Sequence, residues 1–236
     1  MSGRIAYYGG IVKNGLILDL DAGKKDSYNR VGTTWNDISG NGNNASLING
    51  PLYNSDNGGA IVFDGSDDYS QISDSNSLNF GTNDFTVLIW VEGITSYPGS
   101  GKTLLWKGSR FDGNIAGWSI AWAGSPTELF LIIGSDVAHA EYQISGFSQG
   151  WSGYKMIGFK REKNGNVYFI NNTTFSLLGN NTHNVNNAYN LLVTKSGFYN
   201  LGLISCKIPK IMIYNKGLSD SELTQNYNAL KGRYNL

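Results

Sequence analysis

Apolar and polar residues alternate in short runs along most of the chain, as in Leu16-Ile17-Leu18-Asp19-Leu20 and Ala60-Ile61-Val62-Phe63-Asp64. A period of two is the signature of a pleated strand, whose successive side chains point to opposite faces. In Phe85–Glu92 one side would carry Phe85, Val87, Ile89 and Val91, and the other Thr86, Leu88, Trp90 and Glu92. The segment therefore predicts a central strand covered on both faces. Between Lys155–Lys160 and Val167–Ile170 lies Lys163-Asn164-Gly165-Asn166, where Asn-Gly supplies the positive φ angles of a type I′ turn and predicts a hairpin. Ser39-Gly40-Asn41-Gly42-Asn43-Asn44 is a second turn cluster that joins strands without separating domains.

Only the end of the chain reads as helix. Ser219-Asp220-Ser221-Glu222 fits a capping box, and Leu223, Tyr227 and Leu230 form one apolar stripe, which predicts a short docked helix over 219–231. The whole pattern predicts an all-β antiparallel two-sheet sandwich, one domain over 1–236 with residues 1–15 as a lead-in.

Composition narrows the function classes. Lys plus Arg and Asp plus Glu are both 18, so the formal net charge is zero and no long-range field draws the chain to nucleic acid or to an anionic membrane. The single Cys206 has no partner for an internal disulfide and, between Ile204 and Ile208, reads as a small buried residue. The opening residues lack the apolar stretch of a signal peptide and no run reaches a membrane span, so the expectation is a product made in the cytoplasm and kept soluble. Asn-X-Ser/Thr triplets at Asn44, Asn171, Asn172 and Asn180 read as chance in an Asn-rich chain.

Candidate chemistry is sparse. Ser96–Thr103 ends in Gly-Lys-Thr as a phosphate-binding loop would, but the following Leu104-Leu105-Trp106-Lys107-Gly108 reads as strand and turn, leaving no helix N-terminus for phosphates. His139 and His183 lie outside any nucleophile motif, and two histidines with one cysteine disfavour a transition-metal site.

Several segments in order resemble the laminin-G-like, concanavalin A-like jelly-roll family: Ile61–Tyr69, Phe85–Val91, Leu105–Ser109 and Ile211–Ser219. The opening Arg4–Val12 with Leu18–Ala22 and Thr34–Asn43, and the ending Leu223–Tyr234, are similar to virion-associated proteins of tailed bacteriophages. The resemblance implies two curved antiparallel sheets of the lectin/glucanase type, whose concave face binds glycans in some relatives. It also places Trp35, Trp90 and Trp151 at structural positions.

A glucanase of this fold would need carboxylates alternating along one strand; Glu92, Glu128, Glu141, Glu162 and Glu222 are scattered, so the expectation is no enzyme. Relatives that bind calcium do so through loop carboxylates, here Asp37, Asp64 and Asp68, but Ile208-Pro209-Lys210 replaces a further ligand with a cation; no cofactor is therefore expected, calcium standing as the alternative. For glycan stacking the candidates are Trp106, Trp118 and Trp122, the last two sharing a strand face, with burial in the core as the competing reading. The functional expectation is a virion structural protein (decoration, fibre or tail component) that contacts other virion proteins and copies of itself. The alternative is a carbohydrate-binding adhesin for host polysaccharide.

Overall fold

The computed structural model describes residues 9–94, 101–110, 113–123, 128–147, 151–162, 164–197 and 203–236. Among these are sixteen strands in two antiparallel eight-stranded sheets. In the first sheet, β14 (Thr174–Asn180), β13 (Asn166–Asn171), β12 (Lys155–Glu162), β7 (Phe85–Glu92), β16 (Ser205–Tyr214), β5 (Ala60–Asp64) and β4 (Leu52–Asn54) lie side by side. β1 (Leu16–Asp21) also pairs with β16, beside its Lys210–Tyr214 half, while β5 takes the Ser205–Ile208 half. The register of β16 against β7 shifts between Lys207 and Lys210, which puts Pro209, unable to donate to a ladder, at a bulge.

The second sheet runs β11 (His139–Ile144), β10 (Glu128–Gly134), β9 (Gly113–Ala123), β8 (Thr103–Arg110), β15 (Leu191–Val193), β6 (Tyr69–Ile72), β3 (Ala45–Ile48) and β2 (Thr34–Trp35). The chain is thus the antiparallel two-sheet sandwich with one short C-terminal helix that the pattern predicts. The Gly-Lys-Thr candidate ends in β8 with no helix behind it, and its residues 96–100 lie outside the described residues.

Two apolar layers explain the patterning. Phe85, Val87, Ile89 and Val91 of β7 join the core between the sheets, whereas Leu88 and Trp90 face a second cluster on the outer side of the first sheet. The second cluster is roofed by α1 (Asp220–Lys231), which contributes Leu223 and Leu230. Tyr227 stacks on Trp90 with centroids 5.6 Å apart. The capping box forms: Glu222 N–H donates to Ser219 Oγ at 3.3 Å and Ser219 N–H donates to Glu222 Oε2 at 2.9 Å. Residues 9–12 are held against this layer, since Val12 N–H donates to the buried Asn226 Oδ1 at 2.8 Å and Tyr214 Oη–H donates to Val12 O at 3.1 Å.

Candidate functional site

Trp118 and Trp122 are 1% and 0% exposed and belong to the core between the sheets. Trp118 packs against Phe85 and Phe159 at centroid distances of 6.4 and 5.5 Å, which leaves no ring face open to a sugar. Trp35 and Trp90 are also enclosed, and Trp151 is nearly so.

Trp106 sits differently. Its partners in register are Leu192 and Ser119, and it takes no part in the core between the sheets, yet it is only 3% exposed. Tyr189 lies 5.3 Å away, ring to ring, and Gly197 presses so close that a Cβ there would meet the indole at 2.3 Å. The exposed aromatic of this pair is Tyr189, at 39%. No strand pattern singles out Tyr189, which stands in the irregular segment Asn181–Asn190.

That segment is fixed by two buried cations. Lys107 Nζ donates to Asp74 Oδ1 at 2.8 Å, Asn187 Oδ1 at 2.9 Å and Tyr189 O at 2.8 Å, and its burial lowers the ammonium below the ordinary lysine value while Asp74 opposes that shift. Arg161, wholly buried, donates to Asn83 O from Nε and Nη2 at 3.1 and 2.7 Å, to Gly81 O at 2.8 Å and to His183 O at 2.8 Å. Burial brings its guanidinium down to about 10, against the opposing charge of Asp84, so it stays charged at neutral pH. Its guanidinium also lies 5.0 Å over the Phe85 ring.

Above this anchor opens a polar cleft of about 720 Å³. One wall is Thr82, Asn83 and Asp84, and the others come from the Asn164-Gly165 turn, Thr182 and the Asn215-Lys216 corner. The hairpin turn has the left-handed geometry that its sequence predicts, with φ of 68° at Asn164 and 94° at Gly165. Asn181 N–H donates to Gly165 O at 2.7 Å, which fixes the turn against the irregular segment.

The carboxylate candidates divide. Asp37 is a local organiser, accepting from the amides of Asp19, Ser39 and Asn43 at 2.9, 2.9 and 3.0 Å. Asp64 and Asp68 stand together with Asp67, their oxygens within 4.8 Å of one another. Burial first, then the charges of Asp64 and Asp67, raise Asp68 above its ordinary value, while the Ser66 amide leads in lowering Asp64. His139 pairs with Glu141 at 3.2 Å and His183 approaches Ser135 Oγ at 3.4 Å, at separate places. Cys206 is buried, which pushes its thiol well above the ordinary range.

These features define an antiparallel two-sheet sandwich with a polar cleft among its loops. The sequence profile described as Clostridium neurotoxin, N-terminal receptor binding, matches residues 32–218, and the chain belongs to that family. Among solved structures, the binding domain of botulinum neurotoxin DC in complex with SialylT is 15% identical, with a TM-score of 0.72, covering 92% of this chain and 52% of that one. The same neurotoxin's binding domain in complex with rat synaptotagmin II gives 15% and 0.69, covering 93% and 52%. The binding domain of Paraclostridial Mosquitocidal Protein 1 gives 15% and 0.68, covering 92% and 52%. This chain therefore spans about half the length of those structures. No curated protein matches it in sequence.

The family match overturns the bacteriophage reading: assignment to a laminin-G-like virion protein, a particle location, and virion proteins or copies of itself as partners are all corrected by it. The bacteriophage resemblance lay in the two ends of the chain, and the laminin-G-like motifs between them are ones that a sandwich itself demands. Phe63-Asp64-Gly65 is a strand end and tight turn, with Gly65 at φ 79° and Asp64 Oδ1 accepting from Ser66 N–H at 2.7 Å. Phe85–Val91 is the doubly covered strand, and Ser219-Asp220-Ser221-Glu222 is a helix cap. Such motifs report architecture and not lineage.

Proposed function

We propose that this chain is a non-catalytic module that attaches a toxin-like protein to a glycan-bearing receptor on a target cell. The observation that carries the proposal is membership of the receptor-binding family over residues 32–218, a span that includes most strands of both sheets. The binding domain of botulinum neurotoxin DC forms complexes with SialylT and with synaptotagmin II, and cell entry of botulinum neurotoxin type C depends on two ganglioside molecules. Adhesion to carbohydrate agrees with the site chemistry, because the loops at 79–84 and 181–190 present amides and an exposed tyrosine ring, groups that bond hydroxyls and stack on sugars. The test is binding of the fluorescent chain to cultured cells before and after glycosidase treatment. Staining that falls after glycosidase supports the reading; absence of staining on every line refutes it.

A protein receptor is a second reading, favoured by β14. Among the described residues no strand pairs with the outer side of this edge strand, where Leu177 is 60% exposed, and an extended peptide can add to such an edge. Staining that survives glycosidase and falls after protease treatment of the cells would select it.

A further inference from the structure

We propose that the cleft between Asn83, Asn164 and Asn215 is a binding site for a neutral saccharide. The inference rests on the glycan-receptor reading above and gives it a location and a charge preference.

The cleft walls are fixed from behind. The hydrogen bonds from buried Arg161 hold the backbone at Gly81, Asn83 and His183, and Asn180 Nδ2 donates to Asn164 O at 2.8 Å. These bonds use backbone carbonyls. Among the described residues, the side-chain amides of Asn83, Asn164 and Asn215 and the hydroxyls of Thr82 and Thr182 bond no other protein group. The frame is therefore rigid while its outward polar groups remain available. Binding to such a surface avoids the ordering cost that a mobile loop would impose.

The donor set identifies the ligand class. Each primary amide offers an acceptor oxygen beside two donor hydrogens, and each hydroxyl does both, which complements the neighbouring hydroxyls of a pyranose. Among the described residues no apolar side chain lines the cleft, so an extended peptide would find no pocket to select its side chains. Charge excludes an acidic sugar as the preferred ligand. Lys216 is matched by Glu222 at 2.7 Å, and Asp84 faces Arg161, so among the described residues two cations balance two carboxylates. A sialic acid carboxylate would add a third negative charge to Asp84 and Glu222 against those two cations.

The test is titration of the isotope-labelled full chain with methyl β-lactoside and, in parallel, with its sialylated counterpart, followed by amide NMR. With no aromatic ring in the lining, the dissociation constant should be on the order of 1 mM, within reach at about 10 mM sugar. Shifts should concentrate at residues 82–84, 164–165 and 215–216, with the sialylated sugar about tenfold weaker. The double variant Asn83→Ala/Asn215→Ala, exposed at both positions, should keep the amide spectrum of a folded chain and lose about tenfold in affinity. No shift at these amides, shifts confined to another face, equal binding of the sialylated sugar, or an unaltered double variant would each overturn the assignment. Glycosidase-sensitive cell staining combined with any of these results would remove the cleft and leave the receptor-binding reading standing.

Discussion

Replacing Lys210 by Met is expected to be among the most damaging single changes outside the apolar core. Lys210 Nζ lies 2.5 Å from Asp19 Oδ1 and 3.0 Å from Asp21 Oδ2, and all three side chains are buried. Asp21 would keep Arg233, at 2.6 and 3.2 Å. Asp19 would keep only Lys13, 3.5 Å away and largely solvated. One buried carboxylate thus loses its main counter-ion, a change that costs about 3–5 kcal/mol in buried pairs. Against a total stability of about 5–15 kcal/mol this is a large fraction. For a chain of this size it corresponds to a fall of roughly 6–20 °C in Tm. Guanidinium unfolding followed by tryptophan fluorescence measures it, and adding Asp19→Asn to Lys210→Met should recover about half by removing the orphaned charge. The same cluster sets an acid limit. Burial raises Asp21, but the charge of Lys210 and the bonds and charge of Arg233 outweigh it and hold the carboxyl below its ordinary 3.8. Its contribution is therefore complete above that value and disappears as pH falls through the lower folded one, so Asp21→Asn should flatten the stability profile below about pH 4. A Lys210→Met variant destabilised by less than about 1 kcal/mol would refute the reasoning, because it would mean that water reaches Asp19.

Trp118→Ala should cost about 3–5 kcal/mol by opening a cavity against Phe85 and Phe159, and calorimetry would show it as a lower Tm, whatever its effect on ligands. Gly158→Ala should prevent soluble expression, since a Cβ there would lie 1.9 Å from Val87 O in the neighbouring strand; a soluble variant with the native spectrum would contradict the packing. Arg161→Met should leave the sandwich folded while hydrogen exchange accelerates at 81–84 and 183–187, and unchanged exchange there would show that the guanidinium does not hold those loops.

The parts of the fold legible in sequence are those encoded over a few consecutive residues. β7 was readable because both of its faces are apolar, and the structure gives each face its own cluster. The β12–β13 turn was readable from Asn164-Gly165, and α1 from its capping box together with Leu223 and Leu230. Lineage was not readable: the laminin-G-like segments are strand ends, a central strand and the approach to a helix cap, which unrelated sandwiches share, and the bacteriophage resemblance rested on the two ends of the chain alone. The tryptophans show a similar limit. A sequence can place Trp106, Trp118 and Trp122 on strands, but it does not show that core side chains close over two of them. Nor does it show that Tyr189 and Gly197 cover the third.

The cleft was illegible for a reason that also bears on function. Lys107, Lys160, Arg161 and Lys210 all lie on strands, where single charges read as solvated, yet each is 0–1% exposed. Each clamps a distant segment: Lys107 holds Asn187 and Tyr189, 80 and 82 residues on, Lys160 holds Leu218, 58 residues on, and Arg161 holds Asn83, 78 residues back. Lys210 reaches Asp19, 191 residues back. A buried cation needs acceptors, and no local window contains them. A charge inside an otherwise apolar strand run, as in Phe159-Lys160-Arg161, was the one available signal that loops must fold back to meet it. Lys107, Lys160 and Arg161 all use backbone carbonyls, which any residue supplies. Side chains such as Asn187 and Asp74 share in the anchoring, but where a cation holds a carbonyl, as Arg161 holds Asn83 O, the side chain of that residue is left to face outward on a fixed frame. A receptor-binding scaffold built this way can vary what its loops present while the strands keep those loops where they are.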